Sequence, residues 1–373
     1  MRRIVLFLLV IVMAAGVQKA SAVDVRLMTG FDFNRWYSDH DSRGMQTSIP
    51  VIIYAEQSNF STKILTSFAH TQSDMFGKGS NSLGCVIDTK LNLSYSIIDQ
   101  FFADCLLGFD VNLPTGRTEL DAKELELAMD PDLVAITQFG EGLNFNPTFT
   151  LAKVWNNWAA GVGVGYLWRG EYDYSEMIHN YDPGEILSLT GEIVYSLSSR
   201  WQCRLFGEFA FYDNDEVDNE KYYEEGIFVL TGFGVNYSQD DWDIALTVQG
   251  IFRGKSAFQE EGEGIKTEDR SSYGDEWNAD FVWRYNFSKE TVLRTQVYYL
   301  IVAENDYGTD SSFYIGEKEK ISVAVALLSQ LTPNLRGEFS LSGYTMDVDR
   351  NWYFSEDRTF NGFIIGASVT QSF

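Results

Sequence analysis

The residues best able to do chemistry in this chain are carboxylates: 53 Asp and Glu stand against 28 Lys and Arg in 373 residues, with 3 His and 3 Cys. His40, His70 and His179 lie in or beside stretches that read as loops, and no G-x-S-x-G, H-E-x-x-H or P-loop spacing accompanies them. Gly161, Gly163 and Gly165 fall inside one strand-like stretch rather than between a strand and a helix, so they make no nucleotide fingerprint. A carboxylate dyad is the one hydrolytic arrangement left open, and the expectation is no enzyme, no catalytic residue and no cofactor. Asp213-Asn-Asp-Glu-Val-Asp218 opens like a calcium loop, but Val217 occupies a ligand position and the turn glycine is missing, so no metal site is expected. Three cysteines make neither a disulfide framework nor a structural zinc site.

The most informative carboxylates lie in 114–141. Thr118-Glu-Leu-Asp121 reads as a capping box that opens a short helix to about Met129, stopped before Pro131. Leu120, Leu127, Leu133, Val134 and Ile136 give the segment an apolar side that must fold onto something. Asp121, Glu124, Glu126 and Asp130 would then form either an acidic constriction inside a pore or part of a lid across its mouth.

The elements that would position such a loop are strands. From Asp24 to Phe373 the sequence shows period-two stretches rich in aromatic and β-branched residues, at 24–37, 46–57, 59–70, 82–97, 100–113, 142–155, 157–169, 184–198, 200–212, 225–238, 240–253, 273–287, 289–303, 313–330, 332–346 and 359–373. Their connections alternate between very short ones (Ser58, Asn156, Ser199, Ser288) and long ones (38–45, 71–81, 114–141, 170–183, 213–224, 254–272, 304–312, 347–358). That sorting predicts an all-β fold, a transmembrane antiparallel up-and-down β-barrel of about 16 strands, or 14 if one hairpin is loop, with short periplasmic turns and long extracellular loops. Aromatic residues support two membrane interfaces: Tyr95, Trp155, Trp158, Tyr195, Trp201, Tyr237, Trp242, Tyr285 and Phe287 at the short-turn ends, and Tyr37, Trp168, Phe211, Phe252, Tyr299 and Phe360 at the loop ends. By the same alternation Cys85, Cys105 and Cys203 face lipid. The inward set contains Arg26, Lys90, Arg204, Arg284, Arg294 and Arg336 with Asp88, Asp104, Asp110, Glu192, Glu208, Asp243, Asp280 and Glu338, and Arg169 stands near the outer mouth. These charges either pair with one another or line a solute path.

Arg2 and Arg3 before the apolar run Ile4 to Gly16, with Ala20-Ser21-Ala22, read as a signal peptide over 1–22, so the barrel is expected over 23–373. Beyond the N-terminus no apolar run of about 18 residues occurs, which removes helical spans but not a barrel. The formal charge of −25 disfavours nucleic acid. The long loops hold 32 of the 53 acids, so the charge sits where it stays solvated, binds partners, or bridges through divalent cations to lipopolysaccharide. Outer-membrane lipid is the expected surrounding, and the last strand, ending in Phe373, resembles the signal read by the barrel-assembly machinery. Whether three barrels form a homotrimer is left open.

Gly108-Phe-Asp-Val-Asn-Leu-Pro-Thr-Gly116, Phe139-Gly-Glu-Gly-Leu-Asn-Phe-Asn-Pro147 and Gly161-Val-Gly-Val-Gly-Tyr-Leu-Trp-Arg-Gly-Glu-Tyr172 resemble segments of the outer-membrane transporters of the phenol-degradation meta-cleavage pathway, which are related to long-chain fatty-acid transporters. The resemblance implies uptake of small, often hydrophobic compounds. It also implies an N-terminal plug in a fourteen-strand barrel, from which this chain departs because its first strand starts almost at the cleavage site. Together the residues predict a porin-like outer-membrane channel for passive uptake of small solutes, with small hydrophobic or aromatic compounds among them; the rival within transport is a gated path for hydrophobic molecules, with a lumen greasy near Leu106, Phe206, Phe228 and Leu230. The alternative is a non-transporting scaffold barrel whose acidic loops bind partners or divalent cations.

Overall fold

The structure, a computed structural model, describes residues 23–75, 79–260, 264–351 and 355–373; the leader 1–22 lies outside the described residues. Period-two patterning gives β1 (Asp24–Ser38), β2 (Arg43–Gln57), β3 (Phe60–Met75), β4 in two segments (Gly79–Val86 and Thr89–Ile97), β5 (Asp104–Leu113), β6 (Asn144–Trp155), β7 (Trp158–Arg169) and β8 (Ile186–Ser196). The second half adds β9 (Trp201–Tyr212), β10 (Phe228–Ser238), β11 (Trp242–Arg253), β12 (Glu276–Asn286), β13 (Thr291–Val302), β14 (Lys318–Thr332), β15 (Leu335–Val348) and β16 (Arg358–Ser372). Each pairs antiparallel with the next, and β1 pairs with β16 from Arg26↔Ser372 to Ser38↔Phe360. The sheet is therefore a closed barrel of sixteen strands, not fourteen.

The turns explain the rims. Ser58 and Asn156 hold positive φ (53° and 50°), the backbone that two-residue hairpins require, and both sit on the short-turn rim. Outward side chains such as Leu205, Phe233, Val323 and Leu341 are about half exposed, an apolar band that belongs in lipid. Below it Trp158–Tyr195 (4.3 Å), Trp201–Tyr237 (4.5 Å) and Tyr237–Trp242 (5.3 Å) contribute to a girdle. Above it stand Phe109–Phe145–Trp168 (6.0 and 5.5 Å) and Phe252–Trp277 (5.4 Å). Phe360 departs from the expected outer girdle: it points inward and meets Trp36 edge-on at 5.7 Å, because β16 pairs with β1 in the register that puts its even residues inside.

A second departure lies in β4. Leu65 pairs with Lys90 but Phe68 pairs with Val86, so two residues of β3 face three of β4 around Ile87 and Asp88. This one-residue bulge inverts the alternation. Below it Lys90 and Asn92 point inward as expected, while above it Cys85 turns from the lipid face to the interior, where it packs on Leu83, Leu120, Leu127 and Phe139. Cys105 and Cys203 keep the lipid face. In single-cysteine variants held in micelles, Leu127→Ala should cost about 2–5 kcal/mol of packing in this cluster and make Cys85 react with a charged maleimide. Cys105 and Cys203 should stay unlabelled, as read by mass.

Candidate functional site

The lumen is crossed by the third long loop, L3 (114–143), and its root is set by a buried carboxylate. Asp88, placed inward by the bulge, accepts hydrogen bonds from the Gly116 N–H (2.7 Å), the Glu141 N–H (2.6 Å) and Asn112 Nδ2 (2.7 Å). Thr115 Oγ1 accepts from the Thr89 N–H at 2.8 Å. The Leu113-Pro-Thr-Gly116 strand end thus serves to fasten both ends of L3 to the bulge of β4.

Asp121 caps a single helical turn, α1 (Ala122–Leu125), by accepting from the Lys123 and Glu124 N–H groups, while Glu124 returns a bond to the Asp121 N–H. The capping box is therefore Asp121 with Glu124 rather than one opened at Thr118, and the helix ends well before Met129. Glu119 takes positive φ (55°), and Leu120 bridges to Ser175 in the next long loop, which stops the chain from entering the helix earlier. Leu120, Leu127 and Phe139 bury on β4. Met129, Leu133 and Val134 bury on Trp36, Tyr344, Met346 and Phe360. Trp36 lies flat against Gly44, where a Cβ would collide with the indole, so only glycine at 44 admits the ring.

Polar groups fix the tip. The Leu133 carbonyl accepts from Asn34 Nδ2 and from Tyr344 Oη (3.2 Å), and Gln46 brackets Ile136 by giving a bond to its carbonyl and taking one from its N–H. Lys318 contacts Asp130 at 3.1 Å and also Asp132, and Lys320 donates to the Asp132 carbonyl while lying 4.7 Å from the Tyr344 ring centre.

The four expected constriction carboxylates are thus all in use. Asp121 caps the helix, Glu124 pairs with Arg117 (2.8 Å), Glu126 accepts from Asn81 (2.9 Å) and Asp130 pairs with Lys318. Asp132, Lys318, Lys320, Asn34 and Gln46 escaped the sequence reading, since their partners lie tens to nearly two hundred residues away; the inward, two-apart spacing of Lys318 and Lys320 was the available signal.

Several of the remaining inward charges pair along the rest of the wall. Arg294 reaches Glu338 across β14, Arg284 lies 3.6 Å from Asp243, Arg204 lies 3.9 Å from Glu192, and Arg26 pairs with Asp24. Asp280 accepts from Gln296 and Asp110 from Asn92. Asp104 sits at the lower rim, accepting from the Asp99 N–H, while Glu208 and Arg336 point inward from β9 and β15. Opposite L3, the inward Gly161 and Gly163 with Thr150, Thr190, Phe206, Glu208 and Leu230 line a cavity of about 460 Å³. Arg204 stacks on Phe206 at 4.2 Å, and Phe206 in turn covers Gly232. A second cavity of about 580 Å³ lies beside the L3 root, among Lys63, Lys90, Asn92, Asp110 and Glu141.

At the outer mouth Arg169 donates to the Gly184 carbonyl and contacts Asp215 (3.3 Å), which also accepts from the Gly184 N–H and the Tyr181 hydroxyl. Burial, then the Asp215 contact, pushes the Tyr181 phenol well above its ordinary range. The calcium-like segment is instead a strand, Asn214–Val217, in a five-stranded extracellular sheet with Tyr181–Asp182, Glu220–Glu224, Ala257–Glu260 and Gly264–Thr267.

A closed sixteen-strand sheet, a lipid band between aromatic girdles and a charged lumen crossed by L3 define an outer-membrane β-barrel of porin architecture. No known family model matches the sequence, and no characterised protein matches it by sequence. In three dimensions the chain is similar to OccAB1 of Acinetobacter baumannii (8% identity, 94% of this chain and 96% of that one, TM-score 0.51). OccK7 of Pseudomonas aeruginosa (11%, 94% and 98%, TM-score 0.48) and the toluene transporter TodX of P. putida (10%, 94% and 89%, TM-score 0.40) are further structural neighbours. At such identities the likeness is one of fold, and the fold places the chain in the bacterial outer membrane.

Three measurements probe the site. Asp88→Ala should cost roughly 3 kcal/mol, given three hydrogen bonds to a buried charge, and open 114–141 to protease while the barrel stays heat-modifiable. Lys318→Met should remove the ion pairs of Asp130 and Asp132, leaving only Lys320 nearby, and move the reversal potential in a salt gradient towards cation preference. At the rim, His40 Nδ1 meets Asp39 (2.8 Å) and Nε2 meets Glu356 (3.2 Å); these bonds raise its pKa, with Arg358 opposing. A raised folded-state value means that this tie between the first and last long loops is fully formed below the unfolded histidine pKa and is lost as pH rises through the raised one. An NMR titration should give His40 a midpoint above the ordinary histidine value, reverting when Asp39 and Glu356 are replaced by amides.

Proposed function

We propose that this barrel is a non-enzymatic channel for passive uptake of small solutes, with L3 as its constriction. The carrying observation is asymmetry in the lumen: L3 is fastened to the β14–β16 and β1–β4 side, while the opposite wall from β6 to β10 presents glycine, threonine and paired charges around the Phe206 cavity. Because Arg204 offsets Glu192 and most of the lining is uncharged, the wall around this cavity offers hydrogen bonds with a modest field, which suits neutral or weakly polar solutes. Phe206 and Leu230 add apolar surface against which a small aromatic ring would lie, in keeping with the resemblance of 108–116 and 161–172 to the phenol-pathway transporters.

Purified protein in a planar bilayer should give steady ohmic steps, and deletion of 120–130 should raise the single-channel conductance about twofold or more by widening the narrowest section. Silence from a folded, heat-modifiable barrel would sink the channel reading in favour of a closed scaffold. Unchanged conductance on deletion would remove L3 as the constriction.

A further inference from the structure

From β2 to β4 the outer wall lacks girdle aromatics beside Tyr37. Near the loop rim the outward residues run Phe363–Arg35–Met45–Gln72–Ser82 in one cross-strand row, and Asn361–Tyr37–Arg43–Asp74–Ser80 in the row above. At this end of β5–β7 the same face carries Phe109, Phe145 and Trp168. Every other arginine within the described barrel strands points to the lumen, Arg204, Arg284 and Arg294 among them, so Arg35 and Arg43 are alone in turning outwards. Arg35 is exposed and has no ion pair among the described residues. Arg43 spends Nε and Nη2 on one oxygen of Asp74 (3.1 and 2.8 Å) and keeps its other edge open. Between them lies a cavity of about 220 Å³, lined also by Gln72 and Met45.

A guanidinium on the lipid-facing wall is costly unless it sits at headgroup depth opposite an anion. Two forks on adjacent strands suit a tetrahedral oxyanion better than a planar or neutral group. The patch lies at the end of the strands that bears the long loops, hence in the outer leaflet, whose lipid is lipopolysaccharide. We propose that Arg35 and Arg43, with Gln72, bind a phosphate of the lipid A portion of lipopolysaccharide, independently of any solute passing through the lumen.

The test is native mass spectrometry of detergent-purified full-length barrel titrated with bisphosphorylated lipid A, dephosphorylated lipid A or phosphatidylglycerol. Bisphosphorylated lipid A should bind the unaltered protein about tenfold or more tighter than it binds R35A/R43A, with the other two lipids indifferent to the change. Asp74→Asn, which releases the bound edge of Arg43, should strengthen binding, and heat-modifiability and conductance report that each variant is folded. Equal binding of lipid A to the double variant, equal affinity for dephosphorylated lipid A, or an equal drop with phosphatidylglycerol would overturn the proposal. A change of oligomeric state with lipid binding intact would overturn it too, assigning the patch to a protein interface.

Discussion

Inside a bilayer no water satisfies a stray backbone N–H or C=O, so a sheet can cross only if its first strand pairs with its last. The thirteen register pairs between β1 and β16 meet that demand, and much else follows from them. With short turns on one rim and long loops on the other, a closed antiparallel barrel whose ends share the short-turn rim has an even number of strands. Closure with period-two strands also commits half of every strand to a lumen, which must be solvated, filled or both.

Here it is both. L3 fills one side with two apolar clusters and a set of neutralised charges, while the other side keeps short side chains and cross-strand ion pairs. The charges bound to L3 are partnered within the protein: Asp88 by backbone donors, Asp130 and Asp132 by Lys318, Glu124 by Arg117. An unpaired charge there would lie beside buried apolar clusters, and pairing lowers that penalty while fixing the loop's path. The acidity of the chain is thereby displaced to the outer loops, where solvent screens it.

Strand positions and facing were legible in the sequence because period two is a strong local signal repeated along each strand. The fate of L3 was half legible. Leu120, Leu127, Leu133 and Val134 declared that the loop must bury itself, but nothing local named Trp36 or Tyr344 as the surface, since contacts of that sequence separation leave no periodic trace. The two departures share a cause. A parity rule puts Cys85 on the lipid face because one inserted residue at Ile87 and Asp88 is invisible to it, and Thr118 mimics a cap although Asp121 offers the same chemistry three residues later. The acids of L3 were visible as acids; that each has a partner depended on groups far along the chain.

The surface that receives L3 consists of Trp36 on β1, Gln46 on β2 and Lys318, Tyr344, Met346 and Phe360 on β14 to β16, so it straddles the seam where the two ends of the chain meet. L3 belongs to the first half of the sequence, yet its docking ground does not exist until the last strand has paired with the first. The docked L3 is therefore a late feature of biogenesis, and a barrel stalled before closure is also one with its loop adrift. By lying across the join, the loop acts as a clasp: opening the seam would require L3 to let go first.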